Sequence, residues 1–338
     1  MMRSAKLFPA SRLQLMLVVA GLSMFGAAAL AQDDGGDAAA PAPAPAATKV
    51  IPTIRTNIYD RLNEAQVCLD EGDLECAVRT LDRVESIGGL NNYGIAQLWN
   101  GRAFVFFEQE DVAGAIGAYE RILEIPHSDM PDGMIGQTTR NLATLYLQEE
   151  QYERGLATFQ DYMALPFVTP NEDDYYLLAT IHYSMEVYEP GIPALERAIE
   201  LANAKGEIGE EGWYQLLYVF YYNLEQTDKV IETLEFMVEN WTKRDWMLAL
   251  AGQLSGQERT QDTLALYEAA YEQDFLIRGT EWVQLANLHL EMGAPYKAAV
   301  LLEDGLGSGF IESSESNWRL LAQAWQIARE DEKAIPAF

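Results

Sequence analysis

Trp282-Val283-Gln284-Leu285-Ala286-Asn287-Leu288-His289 and Trp318-Arg319-Leu320-Leu321-Ala322-Gln323-Ala324-Trp325 are two copies of one pattern. Twelve residues after the alanine in each comes a second small residue, Ala298 or Ala334, and four further on a large apolar one, Leu302 or Phe338. Apolar residues three, four and seven apart share one face of a helix. Each quoted stretch therefore reads as a helix, and each segment behind it as a second one. Two helices approach closely only where the facing side chains are small, so the paired small residues mark the line of contact within a hairpin.

Six more copies precede these two. The small position of the first helix reads Ala65, Ala103, Ala143, Ala179, Tyr218, Ala251, Ala286 and Ala322. The second helix supplies Ala77, Ala115, Gly155, Gly191, Val230, Thr263, Ala298 and Ala334, and the large position Leu81, Tyr119, Phe159, Leu195, Leu234, Tyr267, Leu302 and Phe338. Tyr218 and Ala251 hold their places partly because the offset of twelve is imposed on them. Most copies are 35 to 40 residues apart, slightly longer than the 34-residue tetratricopeptide (TPR) helix pair that this spacing describes. The extra length falls where turn residues gather: Gly88 to Asn92, Pro126 to Gly133, Pro166 to Asn171 and Lys205 to Gly212. The expected fold is all-α, a right-handed superhelical solenoid of about eight TPR-like helix pairs over residues 49–338, with the last repeat incomplete. The first pair, with Arg61 and Glu64 at positions apolar in later copies, reads as a solvent-facing cap.

The start of the chain is different material. Arg3, Lys6 and Arg12 precede an apolar run from Leu13 to Leu30 that ends in Ala29-Leu30-Ala31. That order reads as a cleavable signal peptide over residues 1–31, with an uncleaved membrane anchor as the competing reading. The expected location is the periplasm, with no membrane span in the mature chain. Residues 32–48 pass from acids and glycines into alternating alanine and proline, and read as a disordered tether.

Net charge bounds the partners. The chain carries −29, and loss of residues 1–31 would leave 20 basic against 52 acidic residues, or −32. Such a chain repels nucleic acid, so none is expected as a partner. Cys68 and Cys76 straddle the turn Asp70-Glu71-Gly72-Asp73; a disulfide across this hairpin and two free thiols packed in the first repeat are both open.

No catalytic arrangement is legible. His182 and His289 fall in a column held elsewhere by Phe106, Tyr146, Tyr221, Leu254 and Trp325, and read as packing residues, while His127 falls in a loop. There is no glycine-rich phosphate loop, no metalloprotease motif and no nucleophile elbow. The acidic pairs Asp173-Asp174 and Glu210-Glu211 read as solvated helix N-termini. The expectation is a protein that is not an enzyme and holds no cofactor or metal. The first helices of such a stack line its concave side, so a partner-binding groove is expected from Phe104, Arg140, Thr144, Tyr176, Thr180, Gln215 and Asn287, with Tyr183 and Tyr222 one turn further on. Tyrosines in a polar groove suit an extended peptide, giving contact area and a hydrogen-bonding group at low entropy cost.

Four stretches carry a more specific likeness: Ala96-Gln97-Leu98-Trp99-Asn100-Gly101-Arg102-Ala103-Phe104-Val105-Phe106-Phe107, Met292 to Ala299, Gly309-Phe310-Ile311-Glu312, and Lys333 to Phe338. From about residue 57 onward the chain resembles bacterial periplasmic TPR proteins of the group that accompanies TonB energy-transduction systems. The resemblance implies a non-enzymatic accessory in a Gram-negative envelope, acting beside a proton-driven inner-membrane motor and the TonB protein. It also implies a chain that continues past Phe338. Two other readings remain: a scaffold for cell-wall or outer-membrane assembly, and a glycan or small-ligand binding protein using the tyrosine-lined groove.

Overall fold

The computed structural model describes residues 53–335. Residues 1–31 and 32–48, where a signal peptide and a tether are expected, and Phe338 lie outside the described residues. Within them sixteen α-helices form eight consecutive pairs, and no strand occurs. The pairs are α1 (Thr56–Asp70) with α2 (Leu74–Ile87), α3 (Asn92–Glu108) with α4 (Val112–Leu123), α5 (Asp132–Gln148) with α6 (Tyr152–Met163), and α7 (Glu172–Ser184) with α8 (Gly191–Ala204). They continue with α9 (Glu211–Asn223) and α10 (Thr227–Asn240), α11 (Arg244–Gly256) and α12 (Thr260–Glu272), α13 (Gly279–Glu291) and α14 (Pro295–Gly307), and α15 (Glu315–Ile327) and α16 (Asp331–Ala334). Each helix packs on the one before and the one after it, so this part of the chain is a TPR-like solenoid.

Both small columns are interior. Ala103, Ala143, Ala179, Ala251, Ala286 and Ala322 are buried, as are Ala77, Ala115, Gly155, Gly191, Val230, Thr263, Ala298 and Ala334 across from them. At Gly155 and Gly191 even a methyl group is too much. A Cβ at Gly155 would lie 2.5 Å from Leu147 of the same hairpin and one at Gly191 2.3 Å from Phe220 of the next pair, so a larger residue at either place must displace that side chain. Among the large residues, Leu81, Phe159, Leu195, Leu234 and Leu302 are buried, and Tyr267 is half-buried.

One turn repeats in all eight pairs. Eight residues past the first-helix column a backbone N–H donates to the carbonyl three residues past that column, at 2.7–3.0 Å: Asp73 to Cys68, Asp111 to Phe106, Gln151 to Tyr146, Val187 to His182, Gln226 to Tyr221, Arg259 to Leu254, Ala294 to His289 and Glu330 to Trp325. The residue before each donor has positive φ, as in the Schellman C-cap, where glycine is usual. Glycine stands there only in the first and seventh pairs (Gly72, Gly293); five pairs carry glutamate (Glu110, Glu150, Glu186, Glu225, Glu258) and the eighth Arg329. This hydrogen bond places Tyr218 and Ala251 in register with the other six copies, independently of the alanine pattern. It also ties the tip of the first hairpin, where Cys68 and Cys76 are paired with their Cα atoms 5.6 Å apart.

Candidate functional site

The first helices of neighbouring pairs touch, α1 with α3 and α7 with α9, which puts the first helices together on one side of the stack. Polar clamps hold them there. Arg140 Nε on α5 donates to Asp174 Oδ1 on α7 at 3.2 Å. Lys243 Nζ and Trp246 Nε1 donate to Glu211 of α9 at 2.5 and 2.7 Å, and Arg244 pairs with Glu281 of α13. These donors hold the Glu211 carboxyl below the usual range, the Lys243 hydrogen bond first and that of Trp246 next.

Asp174 corrects the sequence expectation of a solvated acidic pair. It is 3% exposed and closes a capping box with Asn171 at the start of α7. It accepts from the Asn171 N–H, from Arg140 and from the Tyr162 hydroxyl, so the buried charge is hydrogen-bonded on all sides. Burial pushes the Tyr162 phenol up, with the Asp174 charge adding to it.

The nine groove residues divide by what surrounds them. Tyr222 is the most open aromatic, 47% exposed, its ring 6.0 Å from that of Tyr218. Tyr183 is half-buried against Phe220 (6.5 Å) and Tyr176 against Trp213 (6.2 Å), so each is only partly open. Gln215 is half-buried and Asn287 exposed. Phe104 packs against the core of the first pair. Thr144 is half-buried and gives its hydroxyl to the Arg140 carbonyl. Thr180 departs from the expectation: it is 7% exposed, with its hydroxyl donated to the Tyr176 carbonyl, and offers a partner almost no surface. A back-bonded threonine turned into the helix contact explains this; the position one residue past the column rotates inward where the neighbouring pair is closely packed. Arg140, the one basic residue expected in the groove, is engaged by Asp174 yet keeps an open side, its side chain 44% exposed.

The solenoid's tyrosine-lined stretch is thus confined to α7 and α9, in the fourth and fifth pairs. The residue that makes it so, Phe220, could not be placed by sequence reasoning: it fills the space that Gly191 vacates and supports both Tyr183 and Tyr188, at 6.5 and 5.7 Å. The missing signal was the pairing of a glycine on one pair's second helix with a phenylalanine on the next pair's first.

Outside this groove, a second polar motif recurs at every second junction between neighbouring pairs. Glu120 accepts from the Tyr146 hydroxyl (2.6 Å) and from Arg154 (2.6 Å). Glu196 accepts from Tyr221 (3.3 Å), and Glu268 faces His289 Nε2 (3.8 Å) and accepts from Lys297 (3.0 Å). Burial first, then the neighbouring glutamate, pushes Tyr146 and Tyr221 up to about 12. Burial pushes His289 down against the pull of Glu268, and pushes His182 down with nothing opposing it. A neutral buried imidazole packs as an aromatic ring does, which accounts for histidine in an otherwise aromatic column.

No family model and no curated protein sequence matches the chain. Among solved structures it is similar to a tetratricopeptide repeat protein from Parabacteroides merdae, with 13% identity over 80% of this chain and 99% of that one and a TM-score of 0.45. It is also similar to the C-terminal part of a TPR repeat-containing protein from Cytophaga hutchinsonii (14% identity, 82% and 99% covered, TM-score 0.46). A third is MamA from Desulfovibrio magneticus (18% identity, 55% and 96% covered, TM-score 0.42). What the groove can do follows from this chain's own side chains. Among the described residues no helix is long and apolar enough to cross a membrane.

Proposed function

We propose that this chain is a non-enzymatic scaffold that works in the periplasm and grips a protein partner along its first helices, the partner being a component of a TonB-type energy-transduction system. One observation carries the binding surface: Tyr222, Tyr183 and Tyr176 lie on two touching helices, α7 and α9, with rings supported from behind by Tyr218, Phe220 and Trp213. Rings already held by packing lose little freedom when a partner covers them, so contact area there converts efficiently into affinity. The choice of compartment and partner rests on the basic-apolar start of the chain and on its resemblance to the TonB-associated group. The charge of −29 favours a partner segment rich in lysine or arginine, drawn in by long-range attraction.

The test is recovery of partners from envelope extract on the wild-type chain and on Tyr222→Ala. The proposal expects a TonB-system component on the wild type and its loss on the variant. Recovery of only cell-wall or outer-membrane assembly proteins would replace the partner and keep the groove. Recovery that is the same on both chains would remove the groove. The glycan reading is favoured by the same open Tyr222, and predicts saturable thermal stabilisation by a soluble glycan.

A further inference from the structure

At the hairpin tips the solenoid supplies its own control, because each position occurs eight times. Two tip positions hold exposed polar or small residues in every other copy. Five past the first-helix column, the copies from the first to the seventh pair carry Asp, Glu, Gln, Ser, Asn, Gly and Glu, all exposed; the eighth carries Ile327, 52% exposed. Two before the second-helix column, the other seven copies carry four Glu and one each of Ala, Asp and Gln, again all exposed; the seventh pair carries Tyr296, 52% exposed. At the left-handed turn position the others are glutamate or glycine, and the eighth is Arg329.

These three departures meet in one place. Tyr296, Ile327 and Arg329 line a shallow, open recess of about 440 Å³ between the α13–α14 turn and the end of α15, together with Pro295 and Lys297. The Lys333 ammonium lies 5.3 Å from the Tyr296 ring centre and 4.3 Å from that of Trp325. The Tyr296 ring meets Trp325 of the eighth pair edge-on, with centroids 5.3 Å apart, so stacking of repeats accounts for that side of Tyr296 but not for its open side or for Ile327. In the inner pairs, where a following pair is present, both positions stay exposed, so packing of a neighbouring pair does not cover them. Lys297 is neutralised by Glu268 at 3.0 Å, whereas Arg329 and Lys333 have no ion-pair partner among the described residues. The acids Glu330, Asp331 and Glu332 do not line the recess.

We propose that this recess is a second docking site, for a peptide segment that places one apolar side chain between Tyr296 and Ile327 and an adjoining Asp or Glu against Arg329 and Lys333. An apolar anchor with a flanking charge is the usual make-up of a small recognition site. The site differs from the first-helix groove in position and in the sign of the charge it favours, and does not rest on that reading.

The experiment pans a displayed library of random heptapeptides on the full chain, then measures enriched peptides with capped ends on the wild type and on Tyr296→Glu, Ile327→Gln and Arg329→Glu. Each variant installs a residue type that other copies carry at that position, and unchanged thermal melts would verify the fold. The expected result is enrichment of an apolar residue beside Asp or Glu, with binding about tenfold weaker in each variant and unchanged in Tyr222→Ala. Failure to enrich any sequence, enrichment of lysine- or arginine-rich peptides, indifference to all three variants, or loss of binding in Tyr222→Ala would each overturn the proposal. The last two outcomes leave the groove reading intact.

Discussion

The second and fifth pairs share a turn and differ in everything the turn encloses. In both, the backbone hydrogen bond at the tip is formed, Asp111 to Phe106 at 2.8 Å and Gln226 to Tyr221 at 2.9 Å. In the second pair Ala103 meets Ala115, and the Phe106 ring comes so near Gly114 that a Cβ there would be 2.7 Å away. In the fifth, Tyr218 meets Val230, and rings fill the volume that alanines would have closed: Tyr214 lies 4.5 Å from Phe236 and 5.4 Å from Trp241. The turn fixes register, while the column fixes what kind of packing surrounds it. Giving up the small column in the fifth pair goes with the rings Tyr218 and Tyr222 there, while Tyr176 and Tyr183 stand on α7, whose pair keeps Ala179 and Gly191.

The largest expected effect breaks the aromatic side of this contrast. Phe220 is fully buried and supports Tyr183 and Tyr188, so Phe220→Ala should cost about 3–5 kcal/mol in denaturant unfolding, with weaker partner binding alongside. Next is the hairpin tip of the first pair. Cys68 and Cys76 are bonded, so denatured unreduced chain should show no free thiol, and reduction should destabilise by about 2–3 kcal/mol on the loop-entropy scale. The alanine side is broken by Ala103→Leu, which overfills a fully buried contact and should cost about 1–3 kcal/mol. The same enlargement at the exposed Ala113 should be nearly silent.

Two smaller effects sharpen the comparison. Burial depresses both His182 and His289 below the ordinary value of 6.5, so the native state keeps them neutral while the unfolded chain takes up protons. Stability is therefore full above about pH 6.5 and is lost as pH falls from there toward the folded values. His289→Tyr, the residue type of Tyr146 and Tyr221 at the same position, should flatten this slope in thermal melts between pH 7.5 and 5.5. Smallest is the turn. Glu225 adopts φ +56°, where glycine is favoured, and Glu225→Gly should stabilise by about 0.5–1 kcal/mol, while Gly293→Glu at φ +73° should do the reverse.

Much of this was legible because close helix contact tolerates few residue types. Ala103, Ala143 and Ala286 announce themselves, and with them the eight pairs. The left-handed turns were not legible, since glutamate stands where glycine would have signalled them; only backbone geometry ties Glu110 to Gly72. Asp174 was misread for a related reason: an acid at a helix start is normally solvated, and its burial depends on Arg140 and Tyr162, which are 34 and 12 residues away. In the groove, periodicity placed Tyr222 and Asn287 at the surface but could not tell that Thr180 turns inward. Tyr296 and Ile327 were plain in the sequence, yet unremarkable until the turn register showed what their seven counterparts are.

The central claim is that the first-helix face of the fourth and fifth pairs is where a protein partner sits. In-cell photo-crosslinking from position 222, with position 197 on the exposed side of α8 as the control, measures this directly. The account predicts a discrete protein adduct from 222 and none from 197. Equal labelling from both positions, or an adduct from 197 alone, would contradict it.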